Sequence, residues 1–136
     1  MKNLILTAAL ILAFGTTFGQ ILKKGNLLGV HHITVILDPD VTMNQYKDFY
    51  TNKVIPEYEK HLSVKVYLLS GVRGEGANSL GIMWVFDSED ERNKIFSDEG
   101  GFSEFGTAQI AKMESVTEEL AKLGTWTSKY TDWIIQ

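Results

Sequence analysis

The sequence predicts an α+β domain, βαββαβ in chain order, in which a four-stranded antiparallel sheet carries its helices on one face. Three observations carry this reading. Segments rich in β-branched and aromatic residues fall at 28–37, 64–72, 80–87 and 125–135. Apolar residues at three- and four-residue steps fill the interval after the first segment and the interval after the third. The second and third segments are joined only by a short glycine-rich stretch, as in a hairpin.

Residues 1–19 differ in composition from the rest of the chain. Lys2 gives a short positive start, Leu4 to Gly15 is an apolar run of 12 residues, and Thr17 and Gly19 set small side chains two apart. This is the pattern of a cleaved export signal, with Gln20 as the first mature residue. The run is shorter than the roughly 20 apolar residues that span a bilayer, so no stable membrane anchor is expected. Cleavage deletes Lys2 and no acid, which moves the net charge from −4 to −5. The expected location is periplasmic or secreted.

A short polar lead, 20–27, precedes the domain at 28–136. Leu28 to Leu37 (LGVHHITVIL) reads as the first strand, closed by Asp38-Pro39-Asp40. Thr42 and Gln45 form a capping box, and Met43, Tyr46, Phe49, Tyr50, Val54 and Tyr58 recur at helical spacing. Pro56 should kink or unwind that helix, because it has no N–H and crowds the preceding turn. Val64 to Val72 and Leu80 to Asp87 are the next strands, joined by Arg73-Gly74-Glu75-Gly76-Ala77-Asn78. Ser88 and Glu91 repeat the capping-box pattern before a helix carrying Ile95 and Phe96, which breaks at Gly100-Gly101. Ile110, Met113, Val116, Leu120 and Leu123 continue the helical layer, Gly124 caps it, and Thr125 to Ile135 is the last strand.

That order is the ferredoxin-like split βαβ arrangement. Two helices cover one sheet face and leave the other, apolar and aromatic, without a partner. Pairing two such sheets face to face resolves this and gives a dimeric α/β barrel, so the expected partner is a second copy of the chain.

The strand Gly29-Val30-His31-His32-Ile33-Thr34-Val35, the Pro39 turn, Pro56-Glu57 and the final Tyr130-Thr131-Asp132-Trp133 resemble the dimeric α/β-barrel superfamily. The resemblance spans residues 28–135 and implies the fold, not a chemistry. The superfamily includes cofactor-independent monooxygenases, haem-degrading monooxygenases, small isomerases, polyketide cyclases and proteins without known activity.

Composition excludes several classes. With no Cys there are no disulfides, thiolate metal sites, cysteine nucleophiles or lipidated N-terminal Cys. With 13 Lys+Arg against 17 Asp+Glu, the chain has no basic excess for nucleic acid. No dinucleotide fingerprint, P-loop, zinc-helix or calcium-loop spacing occurs, and no nucleophile elbow. Asp87, Glu89, Asp90 and Glu91 stand at a helix start and read as capping, so no metal is expected.

His31 and His32 are adjacent on a strand and therefore face opposite ways. Phase with Ile33, Val35 and Leu37 sends His31 toward the helices and His32 to the open, barrel-lining face. The candidate ligand-binding set is His32, Tyr67, Arg73, Trp84 and Tyr130, with His32, Arg73 and Tyr67 as candidates for catalysis. An Arg73 guanidinium could bind a carboxylate or enolate in two-point fashion, or pair with Glu75 or Asp132. Trp84 would line an apolar cavity, and Tyr67 and Tyr130 would hydrogen-bond to its contents. The primary functional expectation is an exported homodimer that binds a small, partly apolar molecule. The alternative is a cofactor-independent monooxygenase or isomerase/cyclase with His32 as base, and a third is an accessory module with a filled barrel. No cofactor is expected. Haem is disfavoured because the haem-degrading members use an Asn, a Trp and a His, and the open face of the first strand carries no Asn.

Overall fold

The computed structural model describes residues 22–136. The export signal expected over 1–19 lies outside the described residues. Among them, no helix is long and apolar enough to cross a membrane.

The elements follow the expected order. Strand β1 (Leu27–Leu37) leads to α1 (Met43–Phe49), a π-helical turn (Tyr50–Val54) and α2 (Ile55–Leu62), which form one helical stretch. Strands β2 (Lys65–Ser70) and β3 (Leu80–Phe86) precede α3 (Glu89–Ile95). A third stretch runs through α4 (Glu104–Ile110), a 3-10 turn (Ala111–Met113) and α5 (Glu114–Ala121) into β4 (Gly124–Ile134). The sheet order is β2-β3-β1-β4 with every neighbouring pair antiparallel, the ferredoxin-like topology. Strand β1 sits between β3 and β4, so its two faces are set by the sheet and not by an edge.

Local chemistry explains the helix boundaries. At α1 the capping box is complete: Thr42 Oγ1 accepts from Gln45 N–H at 3.3 Å, and Gln45 Oε1 accepts from Thr42 N–H at 2.8 Å. At α3 only half of the expected box forms. Ser88 Oγ accepts from Glu91 N–H at 3.2 Å, while the Glu91 carboxylate turns to Lys94. Pro56 neither breaks nor ends its helix. The strain is absorbed one turn earlier, where Ile55 N–H donates to Tyr50 O in an i→i−5 bond. The wider turn makes room for a proline ring that would strike the carbonyl four residues back.

The core lies between the sheet and the helices. Its strand residues are Leu27, Ile33, Val66, Leu80, Ile82, Trp84 and Phe86, which pairing places on one face. Against them pack Tyr46, Tyr50, Val54, Tyr58, Leu62, Ile95, Phe96, Met113 and Leu120. The tyrosines form a run, Tyr46–Tyr50 at 6.1 Å and Tyr50–Tyr58 at 6.5 Å between ring centroids, ending on Trp84, 4.8 Å from Tyr58. Burial pushes the Tyr46 phenol up to about 12 and holds Tyr50 well above its ordinary range, so these rings act as neutral packing groups.

Helix α4 is fastened to α3 through a glycine. Gly106 N–H donates to Ser103 Oγ at 3.0 Å, and a Cβ on Gly106 would stand 2.2 Å from Ile95 O. Gly106→Ala is therefore expected to lower stability by about 2 kcal/mol, because a backbone carbonyl, not a flexible side chain, must move. Chemical denaturation checks this, with Gly101→Ala as the control, since a Cβ there would meet nothing closer than Ser97 Oγ at 4.0 Å.

Candidate functional site

Alternation along β1 divides the neighbourhood of the two histidines. His31 pairs in register with Ile82 and Tyr130, and His32 with Gly81 and Lys129, so the first triad faces the helices and the second the open side.

On the helix side, His31 stacks on Tyr130 with centroids 5.3 Å apart and lies 6.3 Å from both Trp84 and Phe96. Beside this ring cluster is an ion pair, buried on its arginine side and reaching solvent on its aspartate side, that the sequence did not reveal. Arg92, only 6% exposed, donates from Nε to Asp132 Oδ2 at 2.9 Å. Its Nη1 donates to Ser97 O at 3.0 Å and Phe96 O at 3.3 Å, and its Cζ lies 5.5 Å from the Phe96 ring centroid. The guanidinium is thus desolvated, paired and hydrogen-bonded to backbone, the condition under which a buried charge is tolerated. Gly29 is small because a Cβ there would meet Asp132 Oδ1 at 3.2 Å. Gly100, at φ +89°, brings the 97–101 loop so close to Tyr130 that a Cβ would lie 2.6 Å from its hydroxyl.

The void beside His31 is about 10 Å³, bordered by Gly29, Arg92, Gly100 and Tyr130. It holds at most one water. Outside it a shallow groove of about 300 Å³ runs past Glu89, Asn93, Asp98, Tyr130 and Asp132. Among the described residues no larger space is seen against the imidazole, and the hydrogen bonds and ring contacts of this cluster fasten α3 and its following loop to β1 and β4.

The open face is described by register. Across the sheet the rows read Lys65–Val85–Leu28–Trp133, Tyr67–Met83–Val30–Thr131 and Leu69–Gly81–His32–Lys129. Beyond them lie Thr34 opposite Thr127 and Ile36 opposite Thr125. None of these residues belongs to the core cluster. Tyr67 is 44% exposed, Trp133 60% and Ile36 69%.

The structure does not bring the five candidate residues to one surface. His32 and Tyr67 share the open face, in adjacent rows. Trp84 instead pairs with Gly29 and Val66 on the helix side, 4% exposed at the centre of the core. Tyr130 is also on the helix side, stacked on His31. Arg73 is exposed in the loop after β2, which ends at Ser70, and Asp132 is taken by Arg92 and not by Arg73. The loop closes directly after that strand, with Gly71 N–H donating to Ser79 O at 2.9 Å, which ends β2 earlier than the sequence suggests. The missed signal for Arg92 was its spacing: on a helix that opens at Ser88, it stands three residues before Ile95 and four before Phe96, on the buried stripe.

No protein-family model matches the sequence, and a sequence search of curated proteins finds no match. Solved structures do match in three dimensions. A NIPSNAP family protein with unknown function from Agrobacterium tumefaciens aligns with TM-score 0.52 at 14% identity, over 84% of this chain and 93% of that one. An uncharacterized NIPSNAP-like domain protein from Burkholderia xenovorans aligns with TM-score 0.52 at 9% identity, over 84% and 88%. The chain shares the fold of these two proteins, the ferredoxin-like α+β sheet with its helices on one face. A further likeness, TM-score 0.45 at 13% identity over 84% and 100%, is to a protein from Bacteroides fragilis described as dimeric, of unknown function and ferredoxin-like in fold. On this frame, the ion pair and ring cluster are the polar feature of the helix side, and the uncovered sheet face is the exposed one.

Burial lowers the His31 pKa from its ordinary 6.5, against the attraction of Asp132 and with the repulsion of Arg92. A histidine that is harder to protonate when folded contributes stability above its unfolded value, and that contribution is lost as pH falls through its folded one. Stability is therefore expected to decline as pH drops below about 6.5, and His31→Phe, which keeps the stacking, is expected to flatten that decline. Urea denaturation at a series of pH values between 7 and 5 checks it, since an unchanged slope would remove His31 as the cause.

Proposed function

We propose that this chain is an exported homodimer whose sheets pack face to face into an α/β barrel, and that the lumen between them holds a small, partly apolar molecule without a cofactor. The observation that carries the reading is the bare face: Leu28, Val30, Ile36, Tyr67, Leu69, Met83 and Trp133 stand on the side of the sheet away from the core. Strand spacing of about 4.8 Å and a rise of about 3.3 Å per residue give this face roughly 550 Å² in projection. Apolar and polar side chains alternate across it, and exposed apolar residues gathered on one face with a polar surround mark an interaction surface. A second copy matches the face in size and polarity because it is the same face. The export part of the reading rests on the composition of residues 1–19.

An enzymatic use of the same lumen would run through His32 as base with Tyr67 in the adjacent row. The observation in its favour is that these two chemistry-bearing side chains share the open face.

Two outcomes are expected. Expressed from the full chain in a Gram-negative host, the protein should appear outside the cytoplasm with a mass that begins at Gln20; an uncleaved, cell-retained chain would overturn the export reading. The purified protein should sediment as a dimer, and Tyr67→Glu should sediment as a monomer with unchanged circular dichroism. A wild-type monomer would overturn the barrel.

A further inference from the structure

Resting on the barrel reading, we propose that the lumen selects small amphipathic anions, with the head group held between His32 and Lys129 and the apolar body lying along Leu69 and Met83. The argument begins with charge. The chain as a whole is acidic, at −4, yet no Asp or Glu occupies an open-face position on any of the four strands. The ionisable side chains there are His32, Lys65, Tyr67 and Lys129. Lys65 and Lys129 stand on opposite edge strands, β2 and β4, and Lys65 is paired with Glu59 at 3.0 Å. Lys129 forms no ion pair among the described residues, and it is the direct cross-strand neighbour of His32.

Face-to-face closure has a consequence for this pair. An ammonium removed from water without a counter-charge is strongly disfavoured, and a second copy of the face brings another Lys129 and His32 but no carboxylate. The enclosed space must therefore remain wet or take up an anion, and an anion that also covers apolar surface satisfies both demands of the lumen.

The same row provides relief for such a ligand. Gly81 stands between Leu69 and His32, and a Cβ there would lie 3.4 Å from Leu69 Cβ and 3.2 Å from His31 O. The missing side chain leaves a dip in the middle of the row, with an aliphatic wall at Leu69, Met83 beside it in the next row, and Lys129 next to His32 at the other end. A carboxylate headed toward Lys129 can accept hydrogen bonds from its ammonium and from the imidazole, while the attached hydrocarbon crosses the dip.

Calorimetric titration of the purified protein with octanoate, benzoate, octylamine and octan-1-ol tests this, with sedimentation equilibrium on the same samples. At least one of the two carboxylates should bind tenfold or more tightly than the amine or the alcohol. Lys129→Met should weaken that carboxylate about tenfold and leave octan-1-ol unchanged, the loss of one charge-assisted contact. Lys129→Glu should reverse the preference toward octylamine. Equal binding of all four probes, a dimer that takes up neither carboxylate, or Lys129 variants with unchanged selectivity would each overturn the inference while leaving the dimer standing. A wild-type monomer would overturn the barrel reading and this inference together.

Discussion

The constraint on which the rest of this structure depends is the two-residue period of β1 and the supply of helix on only one side of it. With β3 and β4 hydrogen-bonded on either flank, β1 cannot slip by one residue without exchanging its whole core set, Leu27, Ile33, Val35 and Leu37, for Leu28, Val30, Thr34 and Ile36. That register also assigns the two histidines. His31 enters a cluster of rings and becomes a packing group with a depressed proton affinity, and His32 is left on a surface that the molecule itself does not cover. Neighbours in sequence thus enter different environments, and their chemistries separate before any functional argument is made.

Much of the fold was legible because its signals are local. Thr42 and Gln45, the helical steps from Met43 to Tyr58 and the Gly-rich hairpin each declare themselves within a few residues. Alternation was enough to place His31 and His32 on their faces. Pairing was not legible, because register depends on contacts between strands. Trp84 looks like a cavity aromatic until it is known to sit opposite Gly29, whereupon it becomes the centre of the core. Arg92 was hidden for a related reason: it lies in the charged run Glu89-Asp90-Glu91-Arg92, which reads as a solvated helix start, and only the arrival of Asp132 from the far end of the chain makes burial tolerable.

The Pro56 region shows how a local conflict was settled by tertiary demand. Propensity alone would end or kink the helix at Ile55. The chain instead widens one turn to the π form, which keeps Tyr50, Val54 and Tyr58 all directed into the core. Losing that stretch would expose three large or medium apolar side chains, a far larger penalty than one distorted turn. Burial therefore won over backbone regularity, and the irregularity marks packing, not chemistry.

The two polar features of the molecule differ in what they require. Arg92 is complete within one chain: carboxylate, two backbone carbonyls and aromatic faces account for its charge, and the one-water void beside His31 admits nothing else. Lys129 is incomplete within one chain once its surface is covered. An ion pair satisfied internally stabilises an architecture, whereas a cation that becomes unsatisfied on assembly gives that assembly a reason to bind something. The bare face and its basic row are for that reason one problem. In the proposed barrel the apolar residues would favour closure, closure would strand the ammonium, and a ligand with one negative end and an apolar body would resolve both at once.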